Sequence, residues 1–135
     1  MCIRDRLLAT LLEEMPVRET VELAERLAAE RFPVEGIVAN RVLDPLCPSA
    51  PSLAALEALT RRDHAAEVGS DLGASWGAVQ RMARATAHLE RRARGMEPLQ
   101  RELSALGKPL ARVPLLPSEE DRLRVVARRL QEAGL

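Results

Sequence analysis

The chain has 135 residues, of which 20 are Lys or Arg and 20 are Asp or Glu, so its formal net charge is zero. That length suits one small domain or a piece of a larger one, and the balanced charge gives no support to a nucleic-acid partner. Aromatic residues make up 1% of the chain, which argues against modules that stack nucleic-acid bases on aromatic side chains. With 47% hydrophobic and 30% charged residues, no long apolar run and no signal-peptide pattern, the sequence predicts a globular, helix-rich, cytoplasmic protein.

The first six residues are considered separately from the rest. Met-Cys-Ile-Arg-Asp-Arg is what the mosaic-end adapter of transposase-based sequencing libraries encodes in one reading frame. We therefore interpret residues 1–6 as a sequencing artefact, and the remainder as the C-terminal fragment of a longer protein. Without Cys2, Cys47 is the one remaining thiol of the sequence, so a disulfide framework is not expected.

Residues 7–45 carry the pattern of a strand, a helix and a second strand. The apolar run 7–12 predicts a buried strand. Pro16 suits the first turn of a helix, in which apolar residues recur at three- and four-residue steps until Pro33 disfavours further helix. The run 34–40, rich in β-branched residues, predicts a second buried strand. A βαβ unit of this length is right-handed, so the sequence predicts an α/β fold with a parallel sheet.

Residues 46–106 are predicted to form a helical insertion. Ser52 is the expected N-cap of a short helix that reaches about residue 67. The Pro and Gly residues around this helix carry little further information about the fold.

A longer helix is predicted from about Gly77. Gly95 and Pro98 predict a kink, or a break after which Pro98 opens a second helix that reaches about Leu106. The helix carries a heptad-like seam, which indicates ordinary core or a groove for a client protein. The seam consists of Val79, Met82, Thr86, Leu89, Ala93 and Met96.

Residues 107–135 repeat the order of strand and helix. Gly107 predicts the end of the preceding helix, and residues 110–113 predict a short strand that ends at a Pro-Leu-Leu-Pro loop. Ser118 with Asp121 is typical of an N-cap with an acidic partner, and Gly134 is expected to end the last helix. The predicted buried positions of that helix are Leu123, Val126, Ala127 and Leu130.

Three motifs occur in a set order: Glu-Glu-Met-Pro-Val-Arg-Glu-Thr at 13–20, Ile-Val-Ala-Asn-Arg at 37–41 and Val-Pro-Leu-Leu-Pro at 113–117. Together they resemble the C-terminal part of the ArsA-type anion-transporting ATPases, which include the arsenite-pump ATPase and the ATPase that delivers tail-anchored membrane proteins. The resemblance covers about residues 7–45 and 105–130. It implies the C-terminal part of a P-loop NTPase parallel sheet, with about three short strands and a helical insertion.

The resemblance also implies a site for the adenine of ATP. In that family the Asn that ends the strand contacts the adenine edge, and the Pro-Leu-Leu-Pro loop lines the base pocket. A side-chain amide offers both a donor and an acceptor to a base edge, and the loop offers rigid backbone and apolar cover. By motif match, the predicted nucleotide-binding residues are Asn40, Arg41, Pro114, Leu115, Leu116 and Pro117.

The phosphate-binding pattern Gly-x-x-x-x-Gly-Lys-[Ser/Thr] does not occur in this sequence. The resemblance therefore assigns phosphate binding and Mg²⁺ coordination to a part of the family fold that precedes these residues. We expect no ATP hydrolysis by this chain alone, and a parent ATPase that works as a homodimer with a membrane pump or a client protein. Zinc is not predicted, because the Cys-x-x-Cys clasp of several relatives has Cys47 here but Ala50 at its second position.

Other interpretations of the same residues stay open. Asn40 also suits a residue that caps a strand before the turn at Asp44-Pro45, and the prolines of the later loop suit simple punctuation. Two alternative functions are a non-enzymatic interaction module, favoured by the long helix with its seam, and a fragment of a MinD-like dimeric P-loop ATPase.

Overall fold

The computed structural model describes residues 6–61, 75–115 and 122–135. These ranges contain three strands, which form one parallel sheet in the order β1-β2-β3. The fold class is α/β, as predicted, and the strand around Ile37 is the central one. The elements in chain order are β1 (Leu7–Leu11), α1 (Glu14–Ala29), β2 (Gly36–Val42), α2 (Ala50–Leu59), α3 (Trp76–Ser104), β3 (Leu110–Pro114) and α4 (Arg122–Glu132). Among the described residues, no helix is long and apolar enough to cross a membrane.

The chain divides into two compact units. The first comprises Met1–Leu43 and Gly95–Leu135, and its described part contains the sheet, α1, α4 and the C-terminal end of α3. The second comprises Asp44–Arg94 and contains α2 and the N-terminal part of α3.

The core of the first unit lies against the central strand. Val17 of α1, Ile37 of β2 and Leu103 of α3 are fully buried, and burying an apolar side chain of this size contributes about 1.5–3 kcal/mol. In parallel sheets the helices of the crossovers cover the faces of the strands, and the β-branched run of β2 suits such a position. The buried residues of this cluster are Leu12, Val17, Ile37, Ala39, Val42, Met96 and Leu103.

Helix α1 ends on a residue in the left-handed conformation, Arg31, whose φ is 62°. The Phe32 N–H donates to the Leu27 carbonyl at 2.7 Å, and the Arg31 N–H donates to the Ala28 carbonyl at 3.0 Å. This pair of bonds is a Schellman motif, which satisfies carbonyls at the helix end. The predicted end of the helix before Pro33 is confirmed.

Helix α4 ends in the same motif, with Gly134 at a φ of 78° and the Leu135 N–H donating to the Leu130 carbonyl at 3.0 Å. The prediction that Gly134 ends this helix is confirmed. The Leu135 side chain lies over Gly36, where an added Cβ would come within 2.7 Å of Leu135 Cδ1. A glycine therefore opens β2 because the terminal leucine fills the space that a side chain would need.

Helix α3 runs without interruption from Trp76 to Ser104, so, of the two predicted alternatives at Gly95 and Pro98, the break is wrong. Proline cannot donate to the Arg94 carbonyl one turn earlier. Met96 and Leu103 nevertheless lie buried in the core of the first unit, on either side of Pro98, and this packing stabilises the helix through the lost hydrogen bond. Gly107, with a φ of 66°, follows the helix end as predicted.

The seam predicted on α3 is wrong at two positions. Met82 is 71% exposed and Leu89 is 40% exposed, whereas Ala83 and Glu90, each one residue further along, are buried. The buried face is therefore turned by one position, towards small side chains and a carboxylate. The buried positions of α3 in the second unit are Val79, Ala83, Ala87, Glu90 and Ala93.

Glu90 explains this rotation, because its carboxylate binds the backbone that follows β2. The N–H groups of Leu46 and Cys47 donate to Glu90 Oε2 at 2.7 and 3.1 Å, and Arg94 Nε donates to Oε1 at 2.7 Å. Burial raises the pKa of the Glu90 carboxyl, but the bonds from Arg94, Cys47 and Leu46 and the Arg94 charge outweigh it and hold that pKa below its usual value. A buried carboxylate with these partners is fully hydrogen-bonded.

Helix α2 begins earlier than predicted. Its N-cap is Ser49, whose hydroxyl accepts from the Ser52 N–H at 3.3 Å, so the assignment of Ser52 as the cap is wrong. Pro51 then occupies the first turn, where its missing N–H costs nothing. The helix ends at Leu59 rather than near residue 67, and residues 62–67 lie outside the described ranges.

The buried positions predicted for α4 are partly wrong. Leu123 is 87% exposed and Ala127 is also exposed, whereas Val126 and Leu130 are partly buried. Val125, which the prediction omitted, is partly buried as well. The predicted N-cap pair, Ser118 and Asp121, lies outside the described residues.

Arg6 is the one described residue of the segment interpreted as a sequencing artefact. Its carbonyl accepts from the Glu35 N–H at 2.9 Å, which continues the pairing of β1 and β2 by one residue. Its guanidinium lies 4.6 Å from the centre of the Phe32 ring, a cation–π contact.

Candidate functional site

A cleft of about 460 Å³ lies where β2 and β3 end. Open α/β sheets bind their ligands at the carboxyl ends of parallel strands, and the volume lies within the range of small-molecule sites. The described residues that line it are Asn40, Arg41, Val113, Pro114, Leu115, Arg122 and Val126.

The cleft brings together site residues that the sequence predicts from two distant motifs. Asn40 and Arg41 come from the end of β2, and Pro114 and Leu115 come from the end of β3. The other two predicted residues, Leu116 and Pro117, lie outside the described residues. Arg122 and Val126 of α4 also line the cleft. Sequence reasoning missed both, although an Arg at the start of a helix that follows the predicted loop was a usable signal.

A β-bulge lies beside the cleft. The register between β2 and β3 shifts between Ala39 and Val42. Two residues of β2, Asn40 and Arg41, therefore lie opposite one residue of β3, Val113. In a regular strand, successive side chains point to opposite faces. The extra residue changes this alternation, and Asn40 and Arg41 both line the cleft.

Arg41 adopts a left-handed backbone conformation with a φ of 57°. For a residue with a Cβ this conformation costs about 1–2 kcal/mol, and such costs concentrate at ligand sites. The Arg41 N–H donates to Asn40 Oδ1 at 2.9 Å, so the Asn40 amide is oriented by the backbone of the next residue. This bond uses one lone pair of the oxygen and leaves the amide NH₂ as a donor for a ligand.

After the bulge, a backbone hydrogen bond joins β2 to the residue that follows β3. The Leu115 N–H donates to the Val42 carbonyl at 2.9 Å, so β3 remains attached to β2 after the irregularity. Val113 is buried, and Leu115 is partly exposed towards solvent. The described lining thus combines apolar residues, the amide-bearing Asn40 and two arginines, Arg41 and Arg122.

A second cleft, of about 430 Å³, lies at the end of β1 and shares Asn40 with the first. It is lined in part by Thr10, Glu19 and Thr20. Thr20 has a structural role, because its hydroxyl donates to the Pro16 carbonyl at 2.7 Å within α1. Thr10 lies in β1 and is buried, whereas Leu7, which the sequence also predicts to be buried, is 44% exposed.

Cys47 is a free, buried thiol in the second unit. Within the described ranges, no group of three His, Cys, Asp or Glu side chains could hold a metal ion.

No protein-family model and no curated protein matches this chain. The resemblance therefore rests on the three motifs alone, and the function has to be argued from the cleft.

Proposed function

We propose that this chain forms the adenine-binding side of an ATP site, as the C-terminal portion of an ArsA-like anion-transporting ATPase with a P-loop NTPase sheet. One observation supports this most strongly. Two motifs far apart in the sequence, Asn40-Arg41 and Pro114-Leu115, border a single cleft at the carboxyl ends of adjacent parallel strands.

The chemistry of the cleft suits an adenine. The base presents an amino donor beside ring-nitrogen acceptors, and an amide NH₂ such as that of Asn40, which lines the cleft, can donate to such a nitrogen. The remaining lone pair of Asn40 Oδ1 accepts from the amino group. Val113 and Leu115 provide the apolar cover that the faces of a base require.

In the proposed parent protein, phosphates and Mg²⁺ bind residues that this sequence does not contain, and this chain binds the base without hydrolysing ATP. The parent is a cytoplasmic homodimer whose partner is a membrane pump or a client protein. No nucleic-acid partner is proposed, because the net charge is zero and aromatic residues are scarce.

The test is titration of the full chain with adenosine, followed by amide chemical shifts. At about 0.3–0.4 kcal/mol for each of about ten non-hydrogen atoms, the base alone binds with about 3–4 kcal/mol, a Kd of about 1–6 mM. We expect saturable shifts at Asn40, Arg41 and Leu115, and weaker shifts with guanosine, which lacks the amino donor at that edge.

Asn40→Ala should remove this binding while leaving the thermal midpoint nearly unchanged, because Asn40 is exposed. Gln131→Ala is the matched control, since it removes an exposed amide from α4 at a position that does not line the cleft. Adenosine shifts that persist in Asn40→Ala, or that spread evenly over the surface of the wild-type chain, would refute the proposal. Loss of stability with unaltered binding would support a strand-cap role for Asn40.

A second candidate function, an interaction module, is favoured by the exposed Met82 and Leu89 on α3. They lie seven positions apart on one helix face, the spacing used by helices that dock into grooves. A soluble, monomeric chain that unfolds cooperatively and binds no adenosine would favour this function over the nucleotide site.

A further inference from the structure

We infer that Arg41 is a specificity-determining residue of the cleft, and that its guanidinium stacks on the face of the bound base. The inference rests on the proposed adenine site and adds to it the group that covers one face of the ligand. Asn40 forms hydrogen bonds with the edge of the base, and the Arg41 guanidinium stacks on its planar face.

The backbone at the end of β2 is the first feature that supports this role of Arg41. Without the bulge, regular alternation would place Arg41 on the opposite face of the sheet from Asn40. The register shifts between Ala39 and Val42, and Asn40 and Arg41, the two residues at the shift, both line the cleft. Arg41 lies there in a left-handed conformation that glycine adopts much more readily. Arg31 has the same conformation outside this cleft, so the role of Arg41 follows from its place in the cleft lining beside Asn40.

The lining of the cleft supplies the second reason. Proteins cover the faces of bases with aromatic rings or with arginine guanidinium planes. No aromatic residue is among the described residues that line this cleft. Phe32 lines a different cleft, with Arg31 and Val34, and Trp76 begins α3. The planar groups large enough to cover a base are therefore the arginines, and Arg41 is the one adjacent to Asn40.

Stacking and simple charge attraction differ in their dependence on shape, so substitution of Arg41 by Lys separates them. Lys keeps the positive charge and loses the plane. Adenosine carries no phosphate, so its affinity reports contact with the base. For Arg41→Lys we expect adenosine to bind about two- to fivefold more weakly than to the wild type. The loss should be the same at low and at high salt, because no ion pair with the ligand is involved.

Arg31→Lys is the matched control. Arg31 is also an exposed arginine in a left-handed conformation, with a φ of 62° against 57° for Arg41, and it does not line this cleft. Its substitution should leave adenosine affinity unchanged. Equal thermal midpoints for the two lysine variants and the wild type establish that folding is intact.

The possible results distinguish the stacking role of Arg41 from the proposed adenine site. Arg41→Lys binding adenosine as tightly as the wild type overturns the stacking role and leaves the proposed function standing. The same holds if Arg41→Lys loses affinity for AMP only and the loss disappears at high salt, since Arg41 then pairs with phosphate. A wild-type chain that binds no adenosine overturns the proposed function, and the role of Arg41 with it.

Discussion

Replacing Arg41 by Gly should increase the free energy of unfolding and decrease the affinity of the cleft for adenosine. The left-handed conformation at a φ of 57° costs a residue with a Cβ about 1–2 kcal/mol, and glycine avoids this cost. Glycine also loses more backbone entropy on folding, by about 0.5–1 kcal/mol. The difference is a net gain of about 0.5–1 kcal/mol in the free energy of unfolding, or about 2–4 °C in Tm for a chain of this size.

The matched comparison is Arg31→Gly. Arg31 has a φ of 62° at the end of α1, where the C′ position of a Schellman motif favours glycine. The stability gain expected there is the same, but adenosine affinity should not change. Urea unfolding followed by circular dichroism measures the free energies, and the adenosine titration measures binding in the same samples. The two substitutions therefore separate backbone strain from side-chain function.

Two results would refute this reasoning. If Arg31→Gly stabilises the protein and Arg41→Gly destabilises it, the Arg41 side chain contributes to the fold, and its conformation is not held for a ligand. If Arg41→Gly gains stability and keeps full adenosine affinity, the strained arginine has no role in the cleft.

Two further predictions concern the fold. Because the folded-state pKa of Glu90 is lowered, its contribution to stability is fully present above the ordinary pKa of Glu and is lost as pH falls through the lowered folded-state pKa. Glu90→Gln should therefore reduce the loss of unfolding free energy at acid pH, measured by urea unfolding at several pH values. Glu97→Gln, at an exposed position of α3, is the control and should not have this effect. Equal pH profiles for the two variants would contradict the role of the Glu90 carboxylate. Gly36→Ala should be less favourable in the wild-type chain than in a Leu135→Ala background, because an added Cβ would displace the end of the Leu135 side chain; in the Leu135→Ala background the change should stabilise the chain by about 0.5–1 kcal/mol, since alanine loses less backbone entropy than glycine. An equal effect in both backgrounds would show that the terminal leucine is not what the glycine accommodates.

The order of strands and helices was predictable because it depends on signals local to the chain. Each of these signals affects the conformation of the few residues around it. They are the β-branched run around Ile37, the apolar spacing of three and four residues in α1, and the glycines at 107 and 134. The structure confirms each of them. The parallel sheet followed too, because a strand-helix-strand segment of this length has few ways to pair.

The orientation of each helix was less predictable, because it depends on what packs against it. The spacing of apolar residues is compatible with burial of Met82 and Leu89 in α3. In the structure, Glu90 faces inward instead, where its carboxylate accepts from the N–H groups of Leu46 and Cys47. Similarly, nothing near Pro98 indicates that the core on either side would keep α3 continuous.

The sequence by itself placed Asn40, Arg41, Pro114 and Leu115 at the ends of two predicted strands, and their joint assignment to one site came from the resemblance of their motifs to the ArsA-type ATPases. Tertiary structure decided that Arg41 joins Asn40 in one cleft, because a bulge exists only in the pairing of two strands far apart in the chain. Alternation along a single strand predicts opposite faces for these neighbours. The pairing of β2 with β3, which the sequence does not show, places both residues at the edge of one ligand-sized space.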